Sequence, residues 1–177
     1  MKGFIFSEFL ELAEEKFGYA FVDNMVEETS SSGVYTSIST YQVEELVEMV
    51  VYISRKKNIP VPDLLIAFGH FLFPRFVKSF PLFFDENQHL FGFLGILHEI
   101  IHVEVQKLYP GALTPKAILS DEGERLVLSY ESPRKLAFFA KGMLEAAIKH
   151  FNEDVEIEMV MVNEDGSKVD FNLLKKS

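Results

Sequence analysis

The sequence predicts an α+β fold, with a helical N-terminal part followed by a four-stranded antiparallel sheet that has one helix inserted. Three observations predict it. Apolar residues recur at mixed three-and-four spacing up to Pro110, the period drops to two beyond it, and a helical pattern returns over 135–151 between two pairs of alternating runs. Regular strand–helix alternation is missing, which excludes a doubly wound sheet, and no internal repeat is seen. At 177 residues and 48% hydrophobic content the chain suits one domain, with the helical part at about 1–110 and the sheet part at about 111–177.

In chain order, Phe4, Ile5, Phe9, Leu12, Ala13 and Phe17 give a first helix over 4–17, with Gly18 as its stop. A shorter helix over 20–28 precedes the small-residue loop 29–33, and 34–38 reads as briefly extended. Ser39 and Gln42 stand at capping-box spacing ahead of a helix that runs to Lys57 and Asn58, with Val43, Leu46, Val47, Val50, Val51 and Ser54 inward. Pro60 and Pro62 make a turn and Asp63 opens a buried helix; Pro74 and Pro81 then bracket a separate turn or short helix. A central helix starts near His89 and ends at Pro110. Strands follow at 117–119 and 124–130 around the turn 120–123, then the helix 135–151, then a hairpin of 155–162 and 168–174 around 163–167.

Composition excludes several functions. With no cysteine there are no disulfides, thiolate metal sites, iron–sulfur clusters or cysteine nucleophiles. A net charge of −10 opposes nucleic-acid binding and permits docking on a basic protein surface. The N-terminus turns acidic at Glu8, too early for a signal peptide, and no apolar run is long enough to cross a bilayer, so a cytoplasmic protein is expected. Eighteen phenylalanines without a tryptophan supply large apolar walls that lack hydrogen-bond donors.

Chemistry concentrates on the central helix, where His98 and His102 lie one turn apart in an apolar run. A buried imidazole there has three possible partners. The first is an ordinary backbone carbonyl. The second is zinc, since His98, Glu99 and His102 spell HExxH, in which two histidines ligate zinc and the glutamate acts as general base. A zinc peptidase needs a third ligand, for which only Glu122 or Glu124 offers itself, and it has no use for the charged Glu104. The third is the iron of a cofactor, with His102 as single axial ligand. A second constellation, Tyr130, Ser132 and Arg134, ends a strand; in extended chain these residues point one way, forming a comb of phenol, hydroxyl and guanidinium suited to carboxylates. Haem, with two propionates, gives that comb a purpose. A helix cap at Ser132 beside a surface arginine is the plainer alternative.

These residues resemble the H-NOX family, the haem nitric oxide/oxygen binding domains related to the haem domain of soluble guanylate cyclase. The resemblance runs from the opening Met-Lys-Gly through HxEVxKLYP at 102–110 and Pro115 to YxSxR at 130–134. It implies bound haem b (iron protoporphyrin IX), His102 as proximal iron ligand, Tyr130, Ser132 and Arg134 as the propionate clamp, and Ile5 and Pro115 pressing on the haem. His98 is then a neighbour rather than a ligand. In members that hold oxygen stably, a distal tyrosine donates to the bound gas; the position reached by ungapped register is Phe139. Ile5, Phe9, Leu72, Phe73, Phe76, Met143 and Leu144, the expected remaining lining, carry no donor either. A tyrosine from another segment, Tyr19, Tyr41 or Tyr52, would alter that pocket. The resemblance therefore implies a sensor without catalytic activity that takes NO and CO but not stable oxygen. It implies output in trans to a histidine kinase, as in a two-component system, or to a diguanylate cyclase, through movement of the His102 helix.

Overall fold

The structure is a computed structural model that describes residues 1–79, 81, 84, 89–96, 116–121 and 125–176. It is α+β, as expected. Helices α1 (Gly3–Phe17), α2 (Tyr19–Glu28), α3 (Val43–Lys57) and α4 (Val61–Ser79) come first, then α5 (Leu90–Ile96). Strands β1 (Lys116–Asp121) and β2 (Arg125–Glu131), helix α6 (Ala137–Phe151), and strands β3 (Val155–Met161) and β4 (Lys168–Lys175) follow. The sheet is antiparallel throughout, in the order β1-β2-β4-β3.

Local chemistry sets most of the boundaries. Gly18 ends α1 at φ +86°, a conformation open to a residue without Cβ. Asn58 and Asn152 close α3 and α6 in the left-handed region. Glu44 and Glu45 in the first turn of α3 and Arg55, Lys56 and Lys57 in its last match the helix dipole. Leu90, at the start of α5, donates its amide to Glu153 Oε1 at 3.0 Å, so the α6–β3 turn caps this helix.

Four expectations are corrected. The capping box at Ser39 is not made, because Ser39 lies in a turn closed by its own amide on the Thr36 carbonyl and α3 starts only after Gln42, which caps without a side-chain bond; the Ser39 hydroxyl instead accepts from Thr36 Oγ1 at 2.6 Å. The stretch 34–38 forms no strand, and the nearby pairing is an isolated bridge between Lys2 and Thr40. Val47 is exposed, while Met49 and Ile53 take the inward face of α3 with Leu46 and Val50, because the helix phase is set by Ile53 and not by Ser54. Pro74 does not break the chain, and α4 runs through it. The proline lacks an N–H for the carbonyl of His70, but His70 is on an exposed side where water can serve that oxygen.

Two apolar clusters share α6. On one side α1, α3 and α4 pack around Phe6, Phe9, Leu46, Phe68 and Leu72. On the other, Leu128, Tyr130, Val169, Phe171 and Leu173 of the sheet meet Leu144 and Ala147 of α6, Leu90, Phe93 and Leu94 of α5, and Phe73 of α4. Met143 touches both. The seam between α4 and α6 depends on two glycines. A Cβ on Gly142 would stand 2.2 Å from the Ile66 carbonyl oxygen, and one on Gly69 would stand 2.6 Å from the Met143 amide nitrogen and the Phe139 oxygen. Only glycine lets the two backbones touch there. Arg75 joins α4 to α1, meeting Glu8 at 2.6 Å, Glu11 at 2.8 Å and Glu15 at 3.3 Å while stacking on Phe71.

Candidate haem and gas site

The end of β2 brings Tyr130, Ser132 and Arg134 together, although not as an extended comb. The strand stops at Glu131, the chain turns at Pro133 and Arg134, and Lys135 has φ +56° before α6 begins. The Arg134 amide donates to Ser132 Oγ at 3.3 Å, and the Ser132 amide donates to the Ser167 carbonyl at 2.9 Å, which pins the turn to the β3–β4 loop. Ser132 Oγ thus serves the turn, as a cap would. Tyr130 and Ser132 are 5% and 4% exposed. Burial pushes the Tyr130 phenol above its ordinary value, while bonds from the Ser132 hydroxyl and the Leu136 main chain, with the nearby Arg134 charge, pull the other way. A phenol, a hydroxyl and a guanidinium therefore meet beside an apolar core. That donor set fits the acidic tails of a flat apolar cofactor.

The expected pocket residues divide between the two clusters. Ile5, Phe9, Leu72, Phe76 and Phe139 belong to the first, where α1, α4 and α6 meet, and Met143 lies at the boundary. Leu144 and Phe73 lie instead in the sheet-side cluster. Aromatic contacts hold the first group: Phe68 stands 5.1 Å from both Phe9 and Phe139, and Phe4 meets Phe76 edge-on at 5.5 Å. Phe68 and Phe4 were not among the expected lining. Phe68 is signalled only by its place four residues before Leu72, and the Gly69–Gly142 seam by nothing local.

The three tyrosines that could have supplied a donor are engaged elsewhere. Tyr19 is largely exposed. The Tyr41 hydroxyl accepts from the Thr36 amide at 3.0 Å, and the Tyr52 hydroxyl donates to Glu28 at 3.2 Å. Tyr35, which also packs on this cluster, bonds Ser31 at 2.8 Å and Glu45 at 3.0 Å. His70 pairs with Glu145 at 2.6 Å across the outer side of the α4–α6 seam. His98, Glu99, His102 and Pro115 lie outside the described residues, as do Glu122 and Glu124. Among the described residues no cluster of histidines and carboxylates could hold a metal ion.

A family profile described as Haem-NO-binding matches residues 2–159, most of the chain. The chain belongs to the H-NOX family. Solved H-NOX structures agree. The unliganded Fe(II) H-NOX protein from K. algicida is 34% identical with a TM-score of 0.93, covering 100% of this chain and 97% of its own. The IWP-051-bound H-NOX from Shewanella woodyi, in the Fe(II)CO state, is 36% identical with a TM-score of 0.85, covering 99% and 95%. The S. oneidensis H-NOX protein in the Fe(II)NO state is 27% identical with a TM-score of 0.92, covering 100% of both chains. No curated protein sequence matches. H-NOX domains bind haem and act as gas sensors rather than enzymes. No described helix of this H-NOX chain is long and apolar enough to cross a membrane.

Proposed function

We propose that this chain senses NO at ferrous haem b, also takes CO, and does not hold oxygen stably. His102 would be the protein ligand to iron, and Tyr130, Ser132 and Arg134 would hold the propionates. Bound ferrous haem supplies the iron at which a diatomic gas binds. One observation supports the choice of gas: among the described residues, the side chains that α1, α4 and α6 place in the apolar cluster of Phe139, among them Ile5, Phe9, Phe68, Leu72, Phe76 and Met143, have no N–H or O–H. Oxygen on iron gains from a donor because negative charge builds on its outer atom, by about 1.5–3 kcal/mol by analogy with bonds to charged groups, whereas NO needs this far less. The S. woodyi and S. oneidensis relatives were solved with CO and NO. That agrees with the reading.

Ile5 on α1 and Pro115 would press on the haem. The Arg75 contacts to Glu8, Glu11 and Glu15 hold α1 against α4, so pressure at Ile5 is backed by a fixed helix. The segment carrying His102 would be the moving element, and the receiver a separate cytoplasmic protein, a histidine kinase or a diguanylate cyclase. The clamp is tested through haem retention. Arg134→Ala removes a charge-assisted contact worth about 1.5–3 kcal/mol, so haem transfer to an acceptor protein should quicken by about tenfold or more. Tyr130→Phe should act in the same direction with a smaller effect. Transfer rates unchanged in both variants would leave Tyr130, Ser132 and Arg134 as turn chemistry alone.

A further inference from the structure

β3 is an edge strand, since the sheet order leaves β4 as its one neighbour among the described residues. Its register fixes which amides are used. Val162 donates to the Lys168 carbonyl and Lys176 to the Asp154 carbonyl, so positions 154, 156, 158, 160 and 162 turn their backbone groups toward β4. By alternation, Val155, Ile157, Met159 and Met161 turn theirs to the open edge. Natural edges are usually blunted by proline, charged side chains, a bulge or short length. This one has seven residues and no proline, its charges are Glu156 and Glu158, and its last two residues together with the one that follows make a run of three exposed apolar side chains: Val160 (40% exposed), Met161 (45%) and Val162 (47%). Such a run is costly unless it is used.

Charge narrows what can use it. Residues 151–167 contain Glu153, Asp154, Glu156, Glu158, Glu164 and Asp165 and no lysine or arginine. Glu156 and Glu158 project on one face of β3, exposed; Glu158 accepts from Asn172 at 2.8 Å and, among the described residues, Glu156 meets Lys176 at 3.7 Å. A second copy of the chain pairing along this edge would set carboxylates against carboxylates, which destabilises cross-strand pairs. We propose that the open edge of β3 docks an extended segment of a partner protein in which lysine or arginine alternates with apolar residues, adding to the sheet as a further strand. Backbone bonds to Val155, Ile157, Met159 and Met161 supply affinity. Basic residues beside Glu156 and Glu158, and apolar ones beside Met159 and Met161, supply selectivity. This surface is independent of the gas reading.

The test uses the haem-loaded chain and two synthetic peptides, one alternating lysine with valine and one alternating glutamate with valine. The lysine peptide should bind, more weakly as salt rises, and should protect the Met159 and Met161 amides from hydrogen exchange. The glutamate peptide should not bind. Met161→Pro removes an outward amide while sparing the bonds to β4, and Glu156→Lys reverses a facing charge. Each should weaken the lysine peptide by about tenfold. The proposal is overturned if the lysine peptide does not bind, if both variants bind it as well as the parent does, or if the chain alone dimerises and Met161→Pro abolishes the dimer.

Discussion

Replacing His102 with glycine should abolish stable haem loading, and imidazole in the medium should restore it. The His102 imidazole would be the sole protein bond to the haem iron, and glycine would leave room where that ring stood. The propionate clamp would remain, because Tyr130, Ser132 and Arg134 belong to a turn fixed by the Ser132 amide and the Ser167 carbonyl. Free imidazole can then enter that space and supply the missing ligand. His98→Gly is the matched control, four residues away in the sequence. The Soret band per mole of protein reads the outcome. Should His102→Gly keep the parent spectrum while His98→Gly loses it, the assignment of the iron ligand moves to His98.

The second large effect is structural. Gly142→Ala should destabilise the chain by about 3 kcal/mol, at the upper end of the range for overpacking, because the new Cβ would sit 2.2 Å from the Ile66 carbonyl oxygen. A backbone atom cannot rotate away as a side chain can, so α4 and α6 must separate. For a chain of this length the melting temperature should fall by roughly 6–12 °C. Gly69→Ala, whose Cβ meets the Met143 nitrogen and Phe139 oxygen at 2.6 Å, strains the same seam. Once either alanine has pushed the helices apart, the other finds room. The double variant should therefore lose clearly less than the sum of the two single losses. Full additivity in thermal unfolding would mean that the two glycines do not share one contact.

How much of this was legible in the sequence depends on how local the cause is. Gly18 and Asn58 mark the ends of α1 and α3 through backbone chemistry within a few residues, and the period-two runs give β2, β3 and β4, whereas the expected end of the central helix at Pro110 lies outside the described residues. Pro74 misled, because a proline's local preference is to end a helix, whereas the apolar faces of Phe68, Leu72 and Phe73 carry α4 through it. The capping box at Ser39 misled for a similar reason: Gly3 donates its amide to the Ser39 carbonyl, a partner distant in sequence that holds this segment out of the helix. At the site, YxSxR was legible as a donor set but its shape was not, since the turn at Pro133 replaces the extended comb. Phe4, Phe68 and the Gly69–Gly142 seam depend on how α1, α4 and α6 meet. Nothing in a helical pattern announces such a crossing.

Whether the side chains around Phe139 offer a donor to a bound gas is read from the absorption spectrum of the reduced, haem-loaded protein exposed to air. No stable oxygen spectrum is expected in air, while NO and CO should each give a shifted Soret band under anaerobic conditions. His102, as the residue that would hold the haem iron, is the contact that NO should weaken and CO should leave in place. A long-lived oxygen spectrum in air would contradict the account, because it would require a donor reaching the iron that Phe139, Phe68, Leu72 and Met143 do not supply.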